Sequence, residues 1–288
     1  MEWLSLSLIC AFSMATADAA TKRWLSDYSA QELVVVRFVS SGLLLAPLLF
    51  IQSWPKLPAV FWGWVGAMIP LEIIAMWLYM KAIQESPLAL TLPYLAFTPV
   101  FVVLTGFLLL DERISVQGWC GIILVVIGAY ALNLKQAAGQ TSWLAPLRAI
   151  AYEPGSRLML MVAAIYSLTS VMGKGALQYT SPVFFAPFYF CTLGVITLFL
   201  LIWSGTTTIN ILWRRPAQHL AVGTAMAVMI LSHLAAIQFV EVAYMIAVKR
   251  TSLLFGILYG AILFQEPDPI RNLTAGSLMV SGVVLIAL

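Results

Sequence analysis

Two stretches of the 288-residue chain read alike: TGFLLLDE at residues 105–112 and YGAILFQE at residues 259–266, 154 residues apart. At this offset Gly106 falls on Gly260, Leu109 on Leu263 and Glu112 on Glu266. The same offset places AFS 11–13 on IYS 165–167, AIQ 82–84 on AIQ 236–238, and Gly128 on Gly282. One spacing holding across so much of the chain marks an internal duplication, the first thing to seek in a sequence of this kind.

The duplicated unit is built for lipid. Of the residues, 62% are hydrophobic and 9% charged, whereas a soluble domain is about half apolar and about a quarter charged. A bilayer core about 30 Å thick needs about 20 helical residues per crossing. Ten runs meet that need: 3–22, 30–51, 61–83, 86–109, 115–134, 157–178, 181–203, 218–240, 242–264 and 270–288. The expected protein is an all-α integral membrane protein of ten transmembrane helices. Residues 1–134 form one repeat, 135–156 a linker and 157–288 the second repeat. The linker, with Trp143, Leu144, Leu147 and Ile150 beside Lys135 and Arg148, suits either a segment lying at the interface or a plain connection. Five spans per repeat is an odd number, so the second repeat enters the membrane upside down. Inverted repeats of this kind are typical of secondary transporters, with the substrate site near the midplane between the halves. The repeat also places the first span inside the fold, although ATADAA at 15–20 loosely offers a signal-peptide cleavage site.

The segments PYLAFTPVFVVLTGFLLLDERISVQGWCGIILVVIGAYAL (93–132) and KRTSLLFGILYGAILFQEPDPIRNLTAGSLMVSGVVLIAL (249–288) carry a resemblance. Each has a gapless apolar fourth helix, a Gly six residues before a Glu, a short turn and a Gly-spaced fifth helix. The chain resembles an EamA-type member of the drug/metabolite transporter superfamily, ten-helix type. The resemblance implies a secondary carrier with helices one to four of each repeat around a central cavity and the fifth helices peripheral. It says almost nothing of substrate, and FQEPDP departs from the pattern, which more usually follows the Glu with a basic residue.

Ionisable residues inside the spans are the candidates for function, because such groups are costly in lipid and usually face the bundle interior or water. Lys249 and Arg250 stand side by side in the ninth span. A helix starting at Thr251 would leave 14 residues to Phe264, about 21 Å, too short to cross. Snorkelling to the interface therefore requires a broken helix or a thinned bilayer. On a continuous helix Lys249, Ser252, Gly256 and Gly260 share one small, polar face, with Arg250 turned about 100° away. The first-repeat counterparts are Leu95 and Ala96, flanked by Pro93 and Pro99. A purely structural need for charge would show in both halves, so the asymmetry points to a substrate with an anionic end. Arg can grip such a group bidentately, and Lys supplies a mobile point charge.

Glu72, just after Pro70 in the third span, is either a proton carrier or an ion-pair partner of Arg37, Lys249 or Arg250. Arg37 reads as a structural partner that also borders the site. His233 is a packing histidine or a proton relay. Asp18 and Lys22, one turn apart, fit a pair at the membrane edge; Lys174 fits the interface; His219 falls in a loop; Gln84 and Gln238 are repeat mates. Trp62, Trp64, Trp77, Tyr79 and Tyr94 could line a cavity or sit in interfacial belts.

The substrate-binding set is thus Lys249, Arg250, Ser252, Glu72 and Arg37, with proton coupling assigned to Glu72 or His233. Cys10, Cys120 and Cys191 show no ligand spacing, so no metal and no cofactor is expected. No phosphate-binding G-x-x-x-x-G-K-[ST] loop, HExxH or GxSxG occurs. These absences disfavour ATP-driven transport and common hydrolysis, and no enzyme activity is expected. A net charge of +3, scattered along the chain, does not suggest nucleic acid. The expected partners are a small-molecule substrate, the lipid bilayer of the plasma or inner membrane, and a coupling proton; oligomeric state is open. So is orientation: Lys and Arg gather on the side opposite the termini, which places the termini outside, while the resemblance implies termini inside. The reading is a secondary active transporter of a small anionic or zwitterionic metabolite working by alternating access. An exporter of amphipathic drugs or amino acids is the alternative within transport. A membrane scaffold or lipid-headgroup enzyme is the alternative outside it.

Overall fold

The computed structural model describes residues 2–85, 92–136, 154–263 and 273–288. Eleven helices of eight residues or more carry the fold among the described residues: α1 (Glu2–Trp24), α2 (Ala30–Leu45), α3 (Ala59–Glu85), α4 (Thr98–Leu110), α5 (Val116–Gln136), α6 (Pro154–Leu177), α7 (Pro182–Trp203), α8 (Pro216–Ala236), α9 (Val242–Lys249), α10 (Ser252–Leu263) and α11 (Leu273–Ala287). α9 and α10 together make one crossing. Seven crossings are long and apolar enough for a membrane, and three shorter apolar helices, Tyr94–Leu110, Val116–Ala131 and Ala275–Ala287, complete ten. Most of the linker (137–153) and Glu266 with its turn lie outside the described residues.

Local chemistry sets the helix ends. Ser29 and Glu32 form a capping box at the start of α2, the Ser29 N–H donating to Glu32 Oε2 at 2.7 Å and the Glu32 N–H to Ser29 Oγ at 3.2 Å. Proline opens α6 and α7, where its missing N–H would have no helical partner anyway. Asp111 closes α4 in the left-handed region at φ 53°, and the N–H groups of Asp111 and Glu112 both turn back to the Gly106 carbonyl.

The halves pack as a two-fold pair. α1 lies along α8 and α3 along α6; a shift of 154 residues exchanges these two contacts. α2 packs on α7 and α5 on α11, and each of these contacts maps onto itself. Glycines report the direction. A Cβ on Gly121 would lie 2.8 Å from the Gly282 carbonyl oxygen, and one on Gly128 would lie 2.8 Å from that of Ala275. Likewise Gly42 meets Phe190, and Gly194 meets Phe38. Numbers rise along one helix as they fall along its mate, so the mates are antiparallel. A two-fold axis that exchanges antiparallel helices lies across them, in the plane of the membrane. The repeats are therefore inverted. Small residues at these contacts let the backbones approach closely, as helix packing in lipid favours.

Candidate functional site

The ninth span is not continuous. After Lys249 the i→i−4 ladder gives way to tighter i→i−3 bonds: Thr251 N–H to Val248 at 2.9 Å, Leu253 to Arg250 at 3.1 Å and Leu254 to Thr251 at 2.9 Å. The Thr251 hydroxyl bonds the Val248 carbonyl at 2.8 Å. Such a 3₁₀ stretch inside a span often marks a hinge. The continuous-helix face of Lys249, Ser252, Gly256 and Gly260 is corrected accordingly: the break separates Lys249, at the end of α9, from Ser252, Gly256 and Gly260 on α10, of which Ser252 and Gly260 are buried and Gly256 is exposed.

The first half breaks at the matching place. A 3₁₀ segment, Leu92–Phe97, runs into α4 at Thr98, just as the turn at Arg250–Thr251 runs into α10 at Ser252. There the Thr98 hydroxyl bonds the Leu95 carbonyl at 2.7 Å. Thr98 and Ser252 are 154 residues apart. The backbone device is shared by both halves; the charge is present in the second alone.

Both cations sit at the end of α9, where the helix dipole favours positive charge. Arg250 is 4% exposed. Its Nε has no hydrogen-bond partner, and no ion pair or side-chain hydrogen bond joins its guanidinium to the described residues. The charged and polar groups within electrostatic reach of it include Lys249, His233, Tyr79, Cys10, Tyr166 and Asp18. Lys249 is half-buried, and its Nζ has only the Met229 Sδ at 3.6 Å, a weak acceptor. His233 on α8 lies near Lys249 and Arg250, and its buried Nδ1 has no hydrogen-bond partner among the described residues. Cys10 on α1 is fully buried against Ser232 and the same two cations.

Glu72, half-buried on α3, lies near the Thr169 hydroxyl of α6 and within reach of the Lys249 charge. Tyr166 and Tyr189 stand close by, the Tyr189 hydroxyl buried without a hydrogen-bond partner among the described residues. Among the described residues Glu72 forms no ion pair with Arg37, Lys249 or Arg250, so of its two readings the ion-pair one is corrected. Arg37, 4% exposed, binds Asp18 at 2.6 Å and Thr21 at 3.0 Å. Tyr79 donates to the other Asp18 oxygen at 3.2 Å. Asp18 thus reaches into the bundle, further than an edge pair would.

One further reading changes, that of His219, and other residues gain partners. Lys174, read as interfacial, bonds Glu112 Oε1 at 2.6 Å and the Val240 carbonyl at 2.7 Å. His219 lies in the first turn of α8, buried against the Tyr28 hydroxyl at 3.1 Å. Trp62 is half-exposed and packs on Phe61 and Phe188. Gln84 donates to the Tyr28 carbonyl at 2.9 Å. Two surface pockets, one around Leu49, Cys191 and Val195, the other around Glu32, Thr206 and Arg214, lie away from the buried polar layer.

The arrangement suits reversible binding of a charged small molecule. It offers two weakly held cations and a carboxylate on the facing wall.

Comparison with known proteins gives a consistent picture. The EamA-like transporter family model matches residues 1–134 and 154–288. A protein named as an uncharacterized transporter in Methanothermobacter thermautotrophicus is 26% identical over 188 residues, 65% of this chain and 53% of that one. The chain therefore spans about half the length of that relative. The probable 4-amino-4-deoxy-L-arabinose-phosphoundecaprenol flippase subunit ArnE of Pectobacterium atrosepticum is 31% identical over 87 residues, 28% of this chain and 77% of that one. A solved crystal structure aligns with a TM-score of 0.72 at 14% identity, covering 98% of this chain and 94% of the other; at that identity the likeness is one of fold.

Proposed function

This chain belongs to the EamA-like transporter family, and from that premise we propose that it moves a small anionic or zwitterionic metabolite across the membrane by alternating access. One observation carries the choice of substrate class. Arg250 is buried at a helix break with no ion pair or side-chain hydrogen bond among the described residues, while the first-half counterpart of that break, built alike, has Leu95 and Ala96 instead of charge. A buried guanidinium left unpaired is costly. A bound carboxylate or phosphate would offset that cost with short, forked, charge-assisted hydrogen bonds. Lys249 would add a second charge, and Glu72 would receive a substrate ammonium or a coupling proton. With no nucleotide-binding loop in the sequence, the driving force is an ion gradient, exchange, or the substrate's own gradient.

The ArnE likeness favours a second reading, in which the anion is the phosphate of a lipid-linked cargo. The two readings separate in one experiment. Purified protein in liposomes is offered a panel of small carboxylates, phosphates, amino acids and cationic drugs, with and without a pH gradient, and in parallel a fluorescent polyprenyl phosphate whose flipping is followed by quenching. Uptake of anions or zwitterions that is lost in the Lys249→Ala, Arg250→Ala double variant supports the first reading. Undiminished uptake in that variant overturns it.

A further inference from the structure

Resting on the transport reading above, we propose that Glu112 and Lys174 form the gate on the membrane face where α1 begins at Glu2 and α11 ends at Ala287, and that they position the two walls of the site against each other. The α4–α5, α6–α7 and α8–α9 turns share that face, because an even number of crossings separates them. At this face the Glu112 carboxylate divides its two oxygens. Oε1 takes the Lys174 ammonium at 2.6 Å, and Oε2 takes the Val242 N–H at 3.0 Å. Lys174 adds the Val240 carbonyl at 2.7 Å. Tyr244 secures the same turn, its hydroxyl accepting from the Ser115 N–H at 3.1 Å. The first turn of α9 is therefore held by the α4–α5 turn of the opposite repeat.

The Gly six residues before the Glu has its reason here. A Cβ at Gly106 would stand 3.0 Å from Glu112 Oε2, so glycine lets the carboxylate fold back over the end of α4.

Both partners of the pair reach the site. α9 is eight residues long, about 12 Å, with Lys249 at its far end and the hinge directly after. Val242, Ala243, Met245, Ile246, Ala247 and Val248 are all buried, so the half-helix moves as a packed rod. Lys174 is the last basic residue of α6; the same helix carries Thr169 and Tyr166, which face Glu72. One wall ends in the two cations and the other holds the carboxylate. The Glu112–Lys174 pair closes the gap between them on this face. The opposite face is closed by different groups: Asp27 takes Arg214 at 3.0 Å and Arg215 at 2.8 Å.

Cys10 supplies a native reporter, since it is fully buried beside the cations. In a Cys120→Ser, Cys191→Ser background, a membrane-impermeant anionic methanethiosulfonate is added from one side of sealed vesicles at a time. A protease-sensitive tag on the N-terminus identifies the side. Glu112→Gln keeps an oxygen for the Val242 N–H while removing the charge that holds Lys174; Lys174→Met removes the other charge independently. Each is expected to raise Cys10 labelling from the face of the termini about tenfold, the change made by about 1.4 kcal/mol, with no rise from the opposite face. Rates within twofold of the parent at the terminus face overturn the proposal, and so does an equal rise at both faces, which marks general loosening. The transport reading is scored separately: labelling of the parent that no anion or zwitterion of the panel slows counts against the site and leaves the gate standing.

Discussion

Replacing Arg250 by Met should stabilise the protein and abolish binding of an anionic substrate. The side chain is 4% exposed, and the described residues provide its guanidinium neither an ion pair nor a side-chain hydrogen bond. A buried polar group without a partner costs about 1–3 kcal/mol, more when charged, and replacing buried charges by apolar groups of similar volume is often stabilising by about 1–4 kcal/mol. Thermal unfolding in detergent without substrate should therefore shift upward. Binding should move the other way. Two hydrogen bonds to a charged group at about 1.5–3 kcal/mol each amount to a loss of about 10²–10⁴ in affinity, measurable by calorimetry or by substrate-induced thermal shift. Arg250→Lys should keep part of the charge effect and lose the fork, falling between the two. If Arg250→Met proves markedly less stable while anion affinity stays at the parent value, the guanidinium is a structural pivot and the reasoning fails.

Glu72→Gln should abolish uptake driven by a pH gradient while sparing counterflow exchange; unchanged driven uptake would remove the proton role. Arg37→Ala should lower stability by about 1–3 kcal/mol, less than the loss of a fully buried ion pair, because the Asp18 carboxylate it strands is 35% exposed and keeps the Tyr79 hydroxyl; denaturation of the purified variant checks this, and no loss of stability would contradict it. Gly282→Ala would put a Cβ 2.6 Å from the Gly121 carbonyl oxygen and should cost about 1–3 kcal/mol as overpacking. Gly63→Ala meets open space and should stay near the parent, so equal stability of the two variants would refute the close α5–α11 contact.

The ten crossings were readable because lipid imposes length and apolarity on every span, and the inversion because the repeat has an odd number of them. The break after Lys249 was half readable. Pro93 and Pro99 announce an irregular backbone in the first half, and carrying that signal across 154 residues would have placed the second break at Arg250–Thr251. No proline marks it there, and an apolar run by itself reads as a continuous helix. Partner choice was the part hidden from sequence. Arg37 lies one span from Asp18, and Lys174 lies 62 positions from Glu112. Periodicity tells which face a side chain occupies; it does not tell which helix ends meet across a two-fold axis. Glu112 showed itself as part of a motif, yet its partners come from α6 and the α8–α9 turn of the other repeat.

The uneven placement of charge on an even backbone has an electrical consequence. Lys249 and Arg250 stand deep in the low-dielectric layer, where the membrane potential falls. Each elementary charge carried across the full drop exchanges about 2.3 kcal/mol per 100 mV. On the proposed alternating-access cycle, rocking of the halves would carry nothing through the field at the first-repeat hinge, whereas the second would carry its cations through part of it. A bound anion would largely compensate that motion; an empty site would not. On that proposal the resting voltage would act on the unloaded protein, biasing which side it faces, and steady exchange should draw far less current than one-way cycling.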